Sequence, residues 1–243
     1  MMNIPAIAVM NVRIIVQWIF DMNPKPINLK AWEVNAYLDG RKTQKRVVIK
    51  PQPEFRYNML YFPRNNNIGF NPDILSGITG EEPVRQTVTD VVSPYKIGQL
   101  LWVREPYCIF PESCKDGMGE QLYLKANQDK LREAEEHMKK HKVSWRPSIH
   151  IPRWASRLTL EVVGIRVERL QDISEADAVA EGVECDSDGW IDYLMPNTQC
   201  CNSAYESYST LWQSLNDPES RNAKSWVWVI ETVAHKRNVD EML

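Results

Sequence analysis

The sequence is poor in the residues and motifs that usually mark metal-dependent, redox and nucleotide-hydrolysing enzymes. Its 243 residues include only four His and five Cys, and the cysteines show no C-x-x-C spacing. The phosphate loop G-x-x-x-x-G-K-[ST], the dinucleotide motif G-x-G-x-x-G, the nucleophile motif G-x-S-x-G and the zinc motif H-E-x-x-H are all missing. We therefore expect no metal and no cofactor.

The N-terminal stretch IPAIAVMNVRIIVQWIF lacks the features of a membrane span or a secretory signal. It is apolar, but Asn11, Arg13 and Gln17 interrupt it, and neither a basic n-region nor a small-residue cleavage site is present. Without such a signal, we expect reduced thiols rather than a disulfide framework, and a cytoplasmic location. Residues 1–23 are interpreted as an N-terminal extension, either outside the core or as an added strand.

The sequence lacks a strong excess of either charge, but its positive and negative residues are segregated along the chain. The net charge is -3, which does not favour a nucleic-acid binder by itself. Residues 1–60 nevertheless carry nine Lys and Arg against four Asp and Glu, and residues 140–170 carry seven against two. Residues 171–220 carry eleven Asp and Glu and no Lys or Arg. Either the basic segments form a face that can meet phosphate, or the segments interleave in space and their charges cancel.

Hydrophobic periodicity predicts an α+β protein with a small, mostly antiparallel β-barrel flanked by helices. The strands do not alternate regularly with helices, which argues against a doubly wound sheet. Residues 55–94 are rich in Asn, Pro and Gly and are predicted to be a long loop or lid inserted into the domain. Helices are predicted at 29–40, 127–142, 173–183 and 203–216. Strands are predicted at 46–50, 97–107 and 225–233, and the alternation from Leu158 onward predicts either one long strand or a bent pair around Gly164.

The segment LDGRKTQKRVVIK places cations directly after a predicted helix end. Gly40 can adopt a positive φ and reverse the chain, which brings Lys42 and Arg46 close to the start of the next strand. Lys42 offers a compact charge, and Arg46 offers a planar fork for phosphate or a base edge. The segment is therefore either a solvated basic turn or the anion-binding edge of a pocket.

This turn resembles the G-x-K-x-x-x-R signature of the ASCH domain family, which has the PUA-like fold. Gly40, Lys42 and Arg46 match the signature. IGQLLWVRE, LTLEVVGIRVERLQDISEADAVAEGV and SWVWVIE resemble the family's later segments in order, and WRPSIHIPRWASRLTLEV resembles a version common in bacteriophage and prophage proteins. The resemblance covers about residues 24–233, and residues 234–243 are interpreted as a C-terminal tail. It implies a PUA-like barrel whose cleft binds RNA or a modified nucleotide.

Some small bacterial members of this family are amidohydrolases that act on N4-acetylcytidine. By resemblance, their catalytic Lys corresponds to Lys42 and their catalytic Glu to Glu181, but the position of their catalytic Thr is occupied by Lys45. An ammonium group is not an acyl acceptor at neutral pH, and Thr43 could replace the missing hydroxyl only if the turn were remodelled. Catalysis by Lys42 and Glu181 is therefore the second hypothesis.

The first hypothesis is a cytoplasmic module that binds RNA or a modified nucleotide. The Gly40 turn would present Thr43 and the cations Lys42, Lys45 and Arg46 to the ligand. Trp102, Trp154 or an aromatic residue of the segment 55–70 would stack on a base. Arg153 and Arg157, which flank Trp154, form either a nucleic-acid surface or a solvated strand edge. Trp226 and Trp228 are predicted to be core residues. A third hypothesis is a phage accessory protein that acts through contacts with a phage or host protein.

Overall fold

The computed structural model describes residues 23–56, 59–62, 68–70, 93–110, 121–196, 200–216 and 223–243. Residues 1–22 of the proposed N-terminal extension, and the greater part of the predicted 55–94 insertion, lie outside the described residues. Within the described parts the protein is α+β, as the sequence predicts. None of their helices is both long enough and apolar enough to cross a membrane.

Five strands form the main sheet, which lies in the centre of the described structure. They are β1 (Lys25–Asn28), β2 (Gln44–Val48), β6 (Leu100–Arg104), β9 (Thr159–Arg169) and β13 (Trp226–His235). Their order across the sheet is β1-β6-β9-β13-β2, and only the β1–β6 pair is parallel. The β-branched and aromatic run WVWVIETV explains why β13 occupies an interior position, since such residues pack well on both faces of a sheet.

Of the two alternatives for the segment around Gly164, the long strand is confirmed: β9 is continuous and contains a β-bulge there. Glu231 of β13 pairs with Gly164, whereas the next residue, Thr232, pairs with Val162, so Val163 is the extra residue of β9. A Cβ at position 164 would lie 2.5 Å from Glu231 Oε2. A larger residue at this position would therefore displace the Glu231 carboxylate, which pairs with Arg166.

The prediction of a closed barrel is wrong, because the main sheet is open. β1 and β2 are its two edge strands, and they lie at opposite ends of the strand order. The chain between them forms helix α1 (Ala31–Leu38), whose Val34 and Tyr37 are buried in the same core as Leu101, Ile165 and Ile230 of the sheet. Because α1 already covers this face, the apolar side chains are buried without any pairing between β1 and β2.

Both faces of β13 are covered. Trp228 and Ile230 pack in the core on the α1 side, while Val227 and Val229 pack against helices α3 (Glu175–Ala180) and α4 (Ala204–Leu215). Trp228 is buried and Trp226 is partly buried, which agrees with the predicted core role of the two residues. The remaining helix, α2 (Gln128–His141), is largely exposed, as its charged sequence predicts.

Several short strands were not predicted. β3 (Glu54–Arg56), β4 (Met59–Phe62) and β5 (Ile68–Phe70) form an antiparallel sheet at the start of the segment predicted to be a loop. Phe62 is buried and its ring stacks on Trp228 with a centroid distance of 5.8 Å, so tertiary packing stabilises a strand that the neighbouring Pro and Asn residues conceal. The other short strands are β7 (Tyr107–Phe110), β8 (Gln121–Leu124), β10 (Cys185–Asp186), β11 (Gly189–Ile191) and β12 (Cys200–Cys201).

The segment interpreted as a C-terminal tail is packed against the protein. β13 continues to His235, and a 3₁₀ turn follows at Val239–Glu241. Val239 is fully buried, and the Asn238 side-chain amide donates to the carbonyl oxygen of Ser156 at 2.7 Å. Residues 234–239 therefore belong to the folded unit rather than to a separate tail.

Candidate functional site

The turn after α1 has the geometry that its glycine predicts. Gly40 has φ +77°, and its N–H donates to the carbonyl oxygen of Tyr37 at 3.1 Å. The Lys42 N–H then donates to the carbonyl oxygen of Ala36 at 3.0 Å. These bonds satisfy carbonyl groups at the end of the helix and fold the chain back, so that Lys42 lies beneath α1 instead of in solvent.

A second glycine allows this turn to approach the end of α3. Lys42 and Glu181 form an isolated antiparallel bridge, and the Thr43 N–H donates to the carbonyl oxygen of Ala180 at 2.8 Å. Gly182 has φ +86°, and a Cβ at this position would lie 2.9 Å from Lys42 Cβ. The backbone of α3 can therefore reach the turn only because residue 182 is glycine.

Lys42 and Glu181, which were predicted to share a pocket, are in direct contact. The Lys42 ammonium donates to Glu181 Oε2 at 2.7 Å and to the Glu181 carbonyl oxygen at 2.7 Å. It also lies 5.5 Å from the ring centroid of Trp32 and 5.8 Å from that of Tyr37. Both residues are buried. Burial lowers the pKa of Lys42, and the Glu181 carboxylate only partly offsets this effect.

Arg46 lies in the same cluster, but it is not available for the predicted phosphate contact. Its fully buried guanidinium contacts Glu181 Oε1 at 3.0 Å and Asp177 Oδ2 at 3.4 Å, and its Nε donates to Glu168 Oε1 at 3.0 Å. Burial acts to lower the pKa of Arg46, but the carboxylates, chiefly Glu181, raise it. Because these carboxylates occupy the planar fork, Arg46 positions Glu181 instead of presenting a charge to solvent.

The cluster continues away from the turn through a second arginine. Arg166 of β9 contacts Asp177 Oδ1 at 2.8 Å and Glu168 Oε2 at 3.2 Å, and it also pairs with Glu231. The partners of Arg46 and Arg166 thus come partly from the acidic segment 171–220. In this part of the protein the basic and acidic segments interleave and cancel, which is the second of the two alternatives left open by the charge pattern.

Two carboxyl groups of the cluster have pKa values below the ordinary range. Burial raises the pKa of Glu33, but the positive charges of Lys45 and Lys42 outweigh burial, and the net shift is downward. Burial likewise raises the pKa of Asp177, while a hydrogen bond from Gln44 at 2.9 Å and the charge of Arg166 lower it overall. Both carboxylates therefore stabilise the folded protein only while they are ionised.

A cleft of about 480 Å³ lies beside this cluster. Its walls are the start of α1, strand β2 and one face of α4. The wall formed by α4 is mainly apolar, because apolar residues recur at helical spacing and so share one face of this helix. On the other walls, cations outnumber carboxylates. The residues lining the cleft are Lys30, Trp32, Glu33, Lys42, Lys45, Arg46, Val47, Val48, Lys50, Glu181, Tyr208, Leu211, Trp212, Leu215 and Asn216.

The cations of the cleft differ in how far they are neutralised. Lys42 and Lys45 are paired with Glu181 and Glu33, respectively. Lys30 and Lys50 are exposed, and neither has an ion-pair partner among the described residues. The positive charge that a ligand would meet is therefore concentrated on Lys30 and Lys50, neither of which was singled out from the sequence.

Of the residues predicted to bind a nucleotide, Lys42, Lys45 and Arg46 line the cleft, and the others do not. Gly40 and Thr43 are exposed on the turn, and they contribute backbone hydrogen bonds to the structure. Trp102 was predicted to stack on a base, but it is buried in a separate apolar cluster with Tyr107 and Ile151. Its ring is therefore occupied by this packing and by the Arg104 guanidinium, which lies 4.5 Å from the ring centroid.

Arg153, Trp154 and Arg157 also lie outside the cleft. Arg153 contacts Asp240 at 2.6 Å, and Arg157 makes two bonds to the buried Glu105, at 2.9 and 3.0 Å. Trp154 is 67% exposed. The two arginines are thus held by carboxylates, and only Trp154 of this group presents a largely free surface.

The aromatic residues of the cleft were missed in the sequence because their spacing also suits an ordinary core helix. In the sequence, Tyr208 and Trp212 lie in the amphipathic pattern of the helix predicted at 203–216, and Trp32 lies in the helix predicted at 29–40. Burial raises the pKa of Tyr208 well above its ordinary value, so this hydroxyl stays protonated. It is also the only side-chain hydroxyl among the described residues that line the cleft.

The described cleft offers two kinds of contact, the charge of its cations and the apolar surface of α4. Among the described residues, no group of three or more His, Cys, Asp and Glu is placed to hold a metal ion. No Ser, Thr or Cys lines the described cleft, so the family's hydroxyl nucleophile has no counterpart there.

Comparisons with models of protein families, with curated proteins and with solved structures gave no match.

Proposed function

We propose that this cleft binds a nucleotide, either free or as part of RNA. The observation that carries the proposal is the pairing of an apolar wall on α4 with a cationic mouth at Lys30 and Lys50. A nucleotide has the matching division into an apolar, planar base and an anionic phosphate. The volume of about 480 Å³ also lies in the range of about 300–1,000 Å³ that is usual for small-molecule sites.

Membership of the ASCH family, with its PUA-like fold, belongs to the same proposal. Its support is local: Lys42 and Arg46 of the signature meet Glu181 beside the cleft, where the family resemblance expects a ligand. The open sheet departs from the barrel that the resemblance implies. The binding proposal therefore depends on the chemistry of the cleft and not on the shape of the sheet.

Salt-dependent binding to single-stranded RNA tests the proposal. Replacing the exposed Lys50 or Lys30 with alanine should weaken binding roughly 2- to 5-fold at low salt and should reduce its salt dependence. Lys139→Ala is the matched control, because Lys139 is an exposed lysine on α2, outside the cleft. If Lys139→Ala weakens binding as much as Lys50→Ala, the interaction is a general attraction to positive charge, and the cleft is not the site.

Amide hydrolysis is a second candidate, which one observation favours. The buried Lys42 has a lowered pKa and lies 2.7 Å from the Glu181 carboxylate at the wall of the cleft. Since no Ser, Thr or Cys of the described residues lines the cleft and the Tyr208 hydroxyl stays protonated, water would have to attack the acyl carbon directly, with the amine released as leaving group and the proton passing through this pair.

Turnover of N4-acetylcytidine separates hydrolysis from binding. Hydrolysis requires that acetate and cytidine appear with the wild-type protein and that turnover ceases in Lys42→Ala and Glu181→Gln. Binding without release of acetate would favour the first candidate. If neither RNA nor nucleoside interacts at low salt, contact with a phage or host protein becomes the better explanation.

A further inference from the structure

The free edge of strand β2 forms part of the cleft. In an antiparallel pair, the backbone N–H and C=O groups of alternate residues point toward the partner strand. The Ile49 N–H donates to the Trp226 carbonyl at 3.1 Å, and the Thr232 N–H donates to the Thr43 carbonyl at 2.8 Å. Odd-numbered residues of β2 therefore face β13. The backbone groups of the even-numbered residues point away from the sheet.

The register of the next pair of strands agrees with this alternation. The Leu170 N–H donates to the Ser225 carbonyl at 2.9 Å, so odd-numbered residues of this part of β13 face β9, and even-numbered residues face β2. It follows that Arg46 and Val48 direct their backbone donors and acceptors out of the sheet. No described residue forms a strand on that side of β2.

The cleft runs along this edge and not over one face of the strand. Four consecutive residues of β2, 45–48, line it, although side chains of neighbouring strand residues point to opposite faces. Val47 packs on the core that contains α1, whereas Val48 packs on the core that contains α4. A ligand in the cleft therefore lies between the two helices, with the backbone edge of β2 as its floor.

We infer that the backbone N–H and C=O of Val48 hydrogen-bond the base of the bound nucleotide; this inference rests on the proposed function. An outward-facing strand residue offers one donor and one acceptor side by side. Nucleobases carry a complementary neighbouring acceptor and donor on the edge that they use for base pairing. The apolar side chains of Leu211 and Leu215 then contact the base, and Lys50 meets the phosphate.

The length of the free edge favours a single base over an added peptide strand. At one end the Thr43 N–H is bonded to Ala180, and at the other the strand stops before Pro51. Of the outward-facing residues of β2, which are Gln44, Arg46 and Val48, only Arg46 and Val48 are among the described residues that line the cleft, and these two positions span about 7 Å. A β-strand addition normally requires a longer run of unpaired backbone.

Replacing Val48 with proline removes the proposed donor without removing a bond to β13. Proline is tolerated on an edge strand where the N–H faces outward. Val48→Ala is the control, since it shortens the side chain but keeps the N–H. Affinities for the four ribonucleoside 5′-monophosphates are measured by equilibrium dialysis. For the nucleotide that binds most tightly, Val48→Pro should weaken binding about 3- to 10-fold relative to Val48→Ala.

Each outcome has a defined meaning. Equal affinities in the two variants overturn the backbone contact and leave the proposed function in place. If the wild type binds neither the four monophosphates nor RNA, the proposed function fails and the inference fails with it; binding of an acidic peptide instead would assign the edge to a peptide strand. If Val48→Pro does not fold, an ester bond in place of the Val48 amide removes the same N–H, and the same loss is expected.

Discussion

Replacing Lys42 with methionine tests whether a buried ion pair holds the turn to α3. Methionine keeps an unbranched apolar chain but removes the ammonium group and both of its 2.7 Å bonds to Glu181. Breaking a buried pair costs roughly 3–5 kcal/mol, because the remaining charge is left without compensation. Since Glu181 still contacts Arg46 at 3.0 Å, we expect the lower end of this range, about 3 kcal/mol.

The reverse substitution distinguishes the pair from simple packing. In Glu181→Gln, Lys42 loses its charged partner but can release its proton, because burial already lowers its pKa. In the double variant neither charge is present, so its cost should be smaller than the sum of the two single costs. Contacting groups typically show coupling energies of about 0.5–3 kcal/mol, and we expect a value in the upper half of that range.

Urea unfolding at neutral pH measures these free energies. The matched control is Arg132→Met on α2, where an exposed arginine contacts Glu136 at 3.3 Å. Exposed pairs of this type contribute about 0–1 kcal/mol. If Lys42→Met destabilises the protein no more than Arg132→Met, or if the two single substitutions at Lys42 and Glu181 are additive, the ion pair does not hold the turn as described.

The remaining predictions concern pH, glycine geometry and the exposed tryptophan. Because the folded-state pKa values of Glu33 and Asp177 lie below the ordinary 4.5 and 3.8, their contribution to stability is complete above those values and is lost as the pH falls through the folded values. Glu33→Gln and Asp177→Asn should therefore flatten the acid side of the Tm profile, and an unchanged profile would contradict this. Gly182→Ala should reduce the free energy of unfolding by about 1–3 kcal/mol and by more than Gly40→Ala, since both have positive φ but only position 182 lacks room for a Cβ; equal losses in urea unfolding would refute the steric argument. Trp154→Ala should leave mononucleotide affinity unchanged in equilibrium dialysis, and a loss would place that residue at the site.

Much of the fold follows from local pattern. Alternation in β9 and β13 predicts long strands, Gly40 predicts the turn after α1, and Ser174 predicts the start of α3, where its hydroxyl accepts from the Asp177 N–H at 3.1 Å. These features are set by residues within a few positions of one another. The strand order and the open edges of the sheet are not set by such local residues, because they depend on which face of the sheet α1 covers.

The candidate site likewise has a part that the sequence predicts and a part that it does not. The cations of the turn are visible in the sequence, and the proximity of Lys42 to Glu181 follows from the family resemblance. The partners of Arg46 could not be predicted, because Glu168 and Glu181 lie 122 and 135 positions away. The charge pattern therefore suggested cations available to phosphate, whereas the structure supplies carboxylates for Lys42, Lys45 and Arg46.

The same ion pairs place the free edge of β2. Arg46 projects from the middle of this strand and is held by carboxylates of β9, of α3 and of Glu181, which follows α3. Lys42 fixes the turn that precedes the strand. With both groups fixed, the backbone donors and acceptors of Arg46 and Val48 keep their direction before any ligand arrives. A site ordered in advance loses less conformational entropy on binding than one that must fold around its ligand. The ion pairs of the signature cations Lys42 and Arg46 therefore do not argue against a ligand site. The proposed phosphate contacts fall instead on Lys30 and Lys50, and the signature residues hold the surface on which the proposed base would lie.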